Sequence, residues 1–331
     1  MGGGMEKARL ILGGDVMLGR NVGHWIERAG AEYPLGRISP ILKQADLVMI
    51  NLECAITSSR SLWRGAPKAF YFGAPVKAAD SLARAGIDIV SLANNHVLDF
   101  DYGGLENTLM LLDEFGIGHA GAGRNSLEAS SPVLAERNGI TFKMAAFCDH
   151  QEDFSAGPSS PGINYVDLSD EQAALSRFQA VLEEMGSVDW PMLSLHWGPN
   201  MVNRPPRQFR KLARAVIDMG YGVLYGHSPH VFQGVEIYKG RPILYACGDL
   251  VDDYCVDSEF MNDRQLLFEL ELARTRLEKI RIHPIHIEDC RATPATGAQH
   301  EFVVGRITAL CREMGTEVGR DPAGFPEIVP G

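Results

Sequence analysis

The sequence predicts a layered α/β fold in which a mostly parallel sheet is flanked by helices and extended by an antiparallel part. Apolar runs of strand length alternate with segments of helical period as far as residue 230, which is typical of a parallel sheet covered on both faces. Beyond Val231 consecutive apolar runs are joined by short turns, which indicates hairpins. No change in composition marks a linker, so we expect residues 1–331 to form a single domain.

The first half of the chain alternates strands and helices. The segment 75–86 illustrates the signals, because Pro75 begins an amphipathic run that Gly86 ends. In order, we predict a strand at 8–15, a helix at 21–30, a strand at 45–54, a helix at 75–86, a strand at 87–96, a helix at 102–116 and a short strand at 117–123.

The second half repeats this alternation and then changes to hairpins. Residues 1–7 are expected to be disordered or vector-derived, 151–165 to form a rim loop, and 256–331 to complete the fold with a hairpin and a helix. In order, we predict a strand at 139–148, a helix at 169–186, a strand at 190–198, a helix at 206–220, a strand with its loop at 221–230, a hairpin turning at Lys239-Gly240, a second hairpin at 265–287 and a helix at 298–314.

Charge and cysteine content limit the classes of function. A formal net charge of -11 argues against nucleic acid or an anionic membrane as partner. No apolar segment approaches the ~18 residues needed to cross a bilayer, so we expect no membrane anchor. The six cysteines include no C-x-x-C pair, which is typical of free thiols in a reducing compartment, and we expect Cys54 and Cys247 to be small buried core residues. We therefore expect a cytoplasmic protein and leave its oligomeric state open.

Polar side chains follow several of the predicted strands. Ligands bind beyond the carboxyl ends of strands in such sheets, so these side chains are expected to meet at one edge. Mixed carboxylate, amide and imidazole donors suit one or two divalent cations such as manganese, zinc, iron or calcium. The residues at strand ends are Asp15, Asn51, Glu53, Asn94, Asn95, His96, His196, His227 and His230.

Taken singly, these residues have ordinary structural explanations. Asp15 fits a helix cap, Glu53 a solvated charge and His196 a buried core histidine. His227 and His230 are harder to explain in this way, because they lie three residues apart on a Gly/Ser/Pro turn. Since all the ordinary explanations would have to hold together, we favour a shared metal site.

Five ordered motifs resemble those of a known family. The stretches GGDVMLGR, NLE, LANNHVLD, LHWG and GHSPH, within roughly residues 8–255, resemble the CapA-like family of poly-γ-glutamate capsule biosynthesis proteins. That family in turn resembles the calcineurin-like metallophosphoesterases. The resemblance implies a four-layer αββα sandwich with mixed sheets flanked by helices, and a metal centre at the strand ends.

The resemblance also implies roles for individual residues. His96 matches the residue that stabilises or protonates a leaving group, and Asp99 is expected to steady it; Asn94 is expected to shape the turn. The implied metal ligands are Asp15, Glu53, Asn95, His196, His227 and His230.

The chain departs from the metallophosphoesterase pattern at three positions. Met17 stands where these enzymes usually have a histidine, Glu53 where they have aspartate, and Asp249 where many relatives have asparagine. One ion position therefore has fewer expected ligands, which favours a single tightly held cation or an exchangeable second one.

Three functions remain open at this point, and we favour a metal-dependent enzyme, with the hydrolase ahead of the epimerase. The first is a metal-dependent hydrolase of a phosphoester, or of an amide in a peptide or γ-glutamyl substrate, with hydroxide generated at the cation and His96 as general acid. The second is a peptide epimerase that inverts a Cα centre by acid-base chemistry of His96, His230 or Asp99. The third is a non-catalytic binder of capsule polymer. Candidate substrate contacts are Arg20, Trp197, Asn200, Arg204, Arg207, Tyr254 and the segment 57–68.

Overall fold

Two β-sheets face each other in the computed structural model, which describes residues 6–331. Within this part of the chain the larger sheet has ten strands and the smaller has six, and helices cover their outer faces. The predicted four-layer αββα sandwich with mixed sheets is therefore confirmed. The alternation of strands and helices alone did not indicate the second sheet.

The strands between residues 6 and 331 are numbered in chain order. They are β1 (Lys7–Val16), β2 (Leu47–Leu52), β3 (Ala55–Ile56), β4 (Gly73–Ala74), β5 (Ile89–Ser91), β6 (Gly118–Ala120), β7 (Ala122–Gly123), β8 (Val133–Arg137), β9 (Ile140–Cys148), β10 (Gly162–Ile163), β11 (Trp190–His196), β12 (Val223–His227), β13 (Val235–Tyr238), β14 (Arg241–Leu244), β15 (Asp249–Val251), β16 (Arg264–Ala273), β17 (Leu277–Glu288), β18 (Arg291–Pro294), β19 (Gly319–Arg320) and β20 (Pro326–Ile328).

The helices lie between these strands, as the sequence predicts. They are α1 (Arg20–Ala29), α2 (Ser39–Leu42), α3 (Ala78–Ala85), α4 (Asp101–Glu114), α5 (Ser126–Ser130), α6 (Glu171–Met185), α7 (Arg207–Met219) and α8 (Gly297–Glu313).

The larger sheet is mixed, with β1 near its centre. Its order is β19-β20-β17-β16-β1-β2-β5-β6, with β15 beside β1 and β18 beside β17. Strand β1 runs parallel to β2 and β15 and antiparallel to β16. The register places Asp15 opposite both Asn51 and Asp249. Three polar side chains thus meet at one end of the sheet.

The smaller sheet has the order β13-β14-β12-β11-β9-β8. Strands β9, β11, β12 and β14 are parallel, and the register places His196 opposite His227. The edge is the predicted hairpin, in which Lys239 and Gly240 have φ angles of 51° and 73°. Positive φ at both turn residues suits the tight two-residue turns of hairpins, so this prediction is confirmed.

Side chains join the two sheets and their helices. The Tyr225 hydroxyl on β12 donates to the carbonyl oxygen of Gly13 on β1, and Trp190 Nε1 on β11 donates to that of Ala273 on β16 at 2.9 Å. The outer face of the smaller sheet packs against α6 and α7. Phe178 of α6 and Val216 of α7 are among the buried apolar side chains of this contact. The apolar core therefore lies between the sheets, beneath α6 and α7, and beneath the helices on the larger sheet, where Val303 and Ile307 of α8 are buried.

Local signals explain where the helices begin and end. The Asp170 side chain accepts a hydrogen bond from the backbone N–H of Ala173 at 3.0 Å, a cap that contributes about 1 kcal/mol. Gly86 ends α3 with φ 91°, in the left-handed region where glycine is favoured. The helix ends predicted at 86 and 186 are thus close to those observed.

Two boundary predictions differ from the structure. The strand expected at 87–96 ends at Ser91, because Asn94 Oδ1 accepts the backbone N–H groups of His96 and Val97 at 3.0 Å and closes a turn. Of residues 1–7, expected to be disordered, 1–5 lie outside the described residues. Lys7 instead begins β1, where it pairs in register with Ala273.

Candidate metal centre

Asp15, at the carboxyl end of β1, lies at the centre of the candidate site. It is 1% exposed, and its two oxygens are oriented by different neighbours. Asn51 Nδ2 donates to Oδ1 at 2.7 Å, and the backbone N–H of Ser228 donates to Oδ2 at 3.2 Å. The carboxylate is therefore held in a fixed orientation between the two sheets.

A first group of possible ligands is formed by Asp15, His196 and His227. Asp15 Oδ1 lies 3.7 Å from His227 Nδ1 and 4.0 Å from His196 Nδ1, and the two imidazole nitrogens are 2.8 Å apart. Ser194 Oγ lies 2.8 Å from the other nitrogen of His227. When that nitrogen bears the proton, Nδ1 presents its lone pair toward Asp15, as a metal-binding imidazole does.

A second group is formed by Asp15, His230 and Asp249. His230 Nδ1 lies 2.9 Å from Asp249 Oδ1 and 3.5 Å from Asp15 Oδ2. It also lies 3.9 Å from Glu53 Oε2. One imidazole nitrogen thus faces three carboxylates.

Glu53 and Asn95 extend the ligand set. His196 Nε2 lies 3.0 Å from Asn95 Oδ1 and 3.7 Å from Glu53 Oε1. Since the other oxygen of Glu53 faces His230, this carboxylate lies between the two groups. The structure therefore brings together all six of the predicted ligand residues.

Burial dominates the electrostatics of these groups. Removal from water raises the pKa of Asp15 to about 6 and the pKa values of Glu53 and Asp249 well above their usual range. Burial also lowers the pKa of His227 to about 3 and that of His196 well below its usual value. In the metal-free protein these carboxylates therefore hold protons more readily than free ones do, and these two imidazoles are neutral.

His96 lies beside the cluster in the orientation expected from the sequence. Its Nδ1 is 2.6 Å from Asp99 Oδ2, and its ring stacks on Phe72 with centroids 3.8 Å apart. Burial lowers the pKa of His96 to about 4. Asp99 also accepts a hydrogen bond from the buried ammonium of Lys68. The contact with Asp99 leaves Nε2 as the imidazole nitrogen available to a substrate.

A cavity of about 300 Å³ opens in front of this cluster. Three of the predicted substrate contacts, Arg20, Asn200 and Tyr254, line it. The Arg20 guanidinium lies 3.3 Å from Asp253 and 5.6 Å from the centre of the Phe70 ring. The full lining comprises Arg20, Phe70, Phe72, Asn95, His96, Asn200, His230, Tyr254 and Cys255. Cationic, aromatic and metal-binding groups therefore face the same space.

Residues 9–254 match the family model described as bacterial capsule synthesis protein PGA_cap. The chain belongs to this family. The match covers the five motifs on which the predicted resemblance depends, and that prediction is confirmed.

Named relatives agree with this membership. A probable polyglutamine synthesis accessory protein of Mycobacterium tuberculosis (strain ATCC 25618 / H37Rv) is 28% identical, in an alignment covering 100% of this chain and 98% of that protein. Capsule biosynthesis protein CapA of Bacillus anthracis is 27% identical over 88% of this chain and 71% of its own length. Among solved structures, a 5′-nucleotidase from Candida albicans SC5314 has a TM-score of 0.46 and 10% identity, covering 94% of this chain and 59% of that one.

Two further observations on this member of the capsule synthesis family concern the hydropathy of its helices and the burial of its cysteines. Among residues 6–331 no helix is both long and apolar enough to cross a bilayer. Cys54 and Cys247 are fully buried, as expected of core residues.

The structure does not bring Trp197 and Arg204 to the cavity. Trp197 is 2% exposed and stacks on Phe209 in the core beneath α7, while its Nε1 donates to the carbonyl oxygen of Tyr245. Arg204 instead forms a two-pronged surface ion pair with Glu313 at 2.6 and 2.7 Å. The predictions for both residues are corrected accordingly.

Arg207 and the segment 57–68 do not line this cavity. Arg207 belongs to a separate basic surface on α7, and residues 57–60 line a neighbouring depression. Two residues of the segment contact the turn that bears His96. The Lys68 ammonium donates to the Asp99 carboxylate and to the carbonyl oxygen of Asn95, and the backbone N–H of Trp63 donates to the carbonyl oxygen of Asp99 at 3.0 Å. The segment therefore borders the cluster from outside the cavity.

Sequence reasoning missed three contributors to this site. Lys68 was included only as the last residue of the candidate substrate segment 57–68, and its role beside Asp99 had no local signal because its partners lie 27 and 31 positions further along the chain. Asn51 was noted at a strand end, but nothing indicated that its amide would orient Asp15. Asp249 was noted only as a departure from relatives, although it too stands at a strand boundary after a glycine.

The donor set fits a divalent cation. Carboxylate, imidazole and amide groups converge, and this mixture suits borderline or hard divalent ions. Asp249 Oδ2 is buried beside the Asp252 carboxyl and accepts no hydrogen bond from an N–H or hydroxyl group in the described chain, and a cation would relieve the repulsion between these two carboxylates. When bound, such ions polarise substrate oxygens and acidify water.

Proposed function

We propose that this protein is a divalent-cation-dependent hydrolase. The observation that supports the proposal most is the position of His96, which faces the same cavity as Asn95 and His230. Nδ1 of His96 contacts Asp99 at 2.6 Å, so its other nitrogen is free to act on a substrate. Ligand residues and a proton-handling imidazole beside one cavity are the parts that metal-assisted hydrolysis needs.

Individual side chains have separate roles in the proposed hydrolysis. The two ligand groups around Asp15 would hold the cations, and Glu53 faces residues of both groups. In its doubly protonated form His96 would give the Nε2 proton to the leaving group, and Asp99 accepts from Nδ1, orients the ring and supports that form against the burial that lowers its pKa. Arg20 offers a charge to an anionic substrate group, and Phe72 packs against the face of His96.

The cavity and the relatives support one substrate class. Relatives are named for capsule, PGA and polyglutamine synthesis, and Arg20 lies on the cavity wall where it suits a side-chain carboxylate. We propose an amide bond in a glutamate-containing peptide as the substrate, with a phosphoester as the alternative substrate of the same machinery.

A hydrolysis assay tests this function. Purified protein loaded with Mn²⁺ should cleave γ-glutamyl oligomers or bis(p-nitrophenyl) phosphate, and His96→Asn should slow the reaction by about 10²–10⁴-fold with metal content unchanged. His119→Asn is the matched control, because His119 contacts Asp113 at 3.2 Å on the surface. Absence of turnover with manganese, zinc, iron and calcium would contradict the proposal.

A second candidate is a peptide epimerase. Two imidazoles, His96 and His230, line the same cavity, as removal and return of a proton on opposite faces requires. The Lys68 ammonium shares Asp99 with His96, which weakens the support of that carboxylate for a charged imidazole and favours the neutral imidazole, the form that can accept a proton. Incubation with candidate peptides in deuterium oxide separates the two functions, because only epimerisation places deuterium at Cα.

A further inference from the structure

We infer that Asp249 is a direct ligand of a second cation position, which it forms with Asp15, Glu53 and His230. The inference rests on the proposed metal-dependent function and deepens it. The resemblance leaves one position a ligand short, because Met17 stands in place of a histidine. The Met17 sulfur is turned to its own loop, where it accepts the backbone N–H of Gly19 at 3.1 Å.

The distances match a common coordination shell. Ligand atoms about 2.1 Å from one cation lie about 3.0 Å apart at right angles and about 3.4 Å apart in a tetrahedron. His230 Nδ1 lies 2.9 Å from Asp249 Oδ1, 3.5 Å from Asp15 Oδ2 and 3.9 Å from Glu53 Oε2. The distances to Asp15 and Asp249 are close to these values, and the Glu53 oxygen would have to move nearer to complete the shell.

The contact with His230 places Asp249 on the ligand side of the ring. A carboxylate that merely orients a metal-binding histidine accepts from the ring nitrogen that faces away from the metal. Here Asp249 approaches the same nitrogen that faces Asp15 and Glu53. Asp249 thus has the position of a ligand and not that of an orienting group.

The backbone brings Asp249 to this place through two glycines. Strand β15 pairs with β1 so that Asp249 lies opposite Asp15, and the backbone N–H of Asp15 donates to the Gly248 carbonyl at 2.9 Å. A Cβ on Gly14 would lie 1.8 Å from that carbonyl oxygen, so only glycine allows the approach. Gly248 has φ 70°, which also favours glycine. The pairing therefore holds the two carboxylates side by side.

The surroundings of the second Asp249 oxygen agree with a cation position. The side chain is fully buried, and Oδ2 accepts no hydrogen bond from an N–H or hydroxyl group of the described residues. Its polar neighbour is the buried carboxyl of Asp252, so without a cation the two groups either share a proton or bring like charges together. A cation bound to Asp249 would take over the role of that proton.

Metal stoichiometry tests the inference. Wild type, Asp249→Ala and Asp263→Ala are loaded with Mn²⁺, dialysed and analysed by mass spectrometry of the metal, because alanine, unlike asparagine, leaves no oxygen that could still bind the ion. Asp263 is the matched control, since it contacts His286 Nε2 at 3.1 Å outside the cluster. We expect about two ions per chain in wild type and control, and about one in Asp249→Ala. Two ions retained in Asp249→Ala, or one in wild type, would overturn the inference alone; no ion in wild type would overturn the metal-dependent function as well.

Diffraction from wild-type crystals grown with Mn²⁺ gives a measurement that does not depend on a variant folding. The expected result is an anomalous peak within about 2.6 Å of an Asp249 oxygen. A peak that lies beside His230 and Asp15 but more than about 2.6 Å from both Asp249 oxygens would refute the assignment of Asp249 as a ligand. Asp249 would then only position the residues that bind the ion.

Discussion

The Lys68 ammonium is buried against the candidate site. Its side chain is 7% exposed, it donates to Asp99 and to the carbonyl oxygen of Asn95, and it lies 4.7 Å from the centre of the Phe154 ring. Asp99 also accepts the backbone N–H of Phe72 at 2.7 Å. A single carboxylate therefore joins the chain around residues 68–72 to the turn that bears the catalytic candidate.

Replacing Lys68 should be costly because it leaves a buried carboxylate without its cation. Lys68→Met is expected to lower the free energy of unfolding by about 3–5 kcal/mol. The matched control is Lys239→Met, because the exposed pair of Lys239 with Asp218 contributes less than about 1 kcal/mol. Urea denaturation monitored by circular dichroism measures the free energy of unfolding of both variants. Equal losses would show that the buried ion pair of Lys68 contributes no more to stability than the exposed pair of Lys239.

Residues whose role follows from their neighbours in sequence were predictable, and those that depend on distant neighbours were not. Asp15 and His96 each follow an apolar run, so their place at the end of a strand is a local property. The contact between His230 and Asp249 instead depends on the pairing of β15 with β1. No local pattern encodes that pairing, which is why Asp249 was noted as a departure and not as a ligand.

Whole elements were predicted better than their arrangement. The ends predicted for α6 and α7 lie within two residues of those observed, because helical period and terminal glycines are local signals. The second sheet was missed on residues alone, since β9 and β11 are apolar runs with the same appearance as β1 and β2. Which sheet a strand joins is decided by nonlocal pairing, and only the family resemblance indicated it.

The packing of α6 on the smaller sheet gives a prediction for an element. Phe178 is fully buried and meets Phe147 edge-on, with ring centroids 5.0 Å apart. Phe178→Ala should therefore lower the free energy of unfolding by about 3–5 kcal/mol, through lost burial and the cavity left behind. Leu127→Ala, at a side chain that is 74% exposed, is the control and should change it little. A similar small loss for both would mean that α6 is held by other contacts.

The candidate metal centre lies between the two halves of the molecule. Asp15 and Glu53 come from the end of the larger sheet, whereas His196 and His227 end strands of the smaller one. A cation bound to all of them would fix the sheets relative to each other, and binding to the folded state alone raises stability. The ligands are also titratable groups withdrawn from water, so this stabilisation depends on pH.

The raised pKa of Asp15 sets the direction in which stabilisation by a cation changes with pH. Its pKa is about 6 in the folded metal-free protein, above its ordinary value of 3.8, so its contribution to stability is full below about pH 4 and is lost as pH rises through 6. A cation competes with that proton and binds best once the carboxyl is ionised. Stabilisation by Mn²⁺ should therefore be small at pH 5 and grow toward pH 7, reaching about 2.7 kcal/mol when Mn²⁺ is at 100 times its Kd.

Thermal denaturation at pH 5 and pH 7, with Mn²⁺ or with EDTA, measures this stabilisation. Asp15→Asn should show little response to Mn²⁺ at either pH, because the amide lacks the negative charge that the carboxylate brings to both ligand groups. Asp263→Asn should respond as wild type does, since its contact with His286 lies outside the cluster. An equal Mn²⁺ shift at the two pH values in wild type would mean that the ion is bound by groups already ionised at pH 5, which would exclude Asp15 as a ligand with a raised pKa.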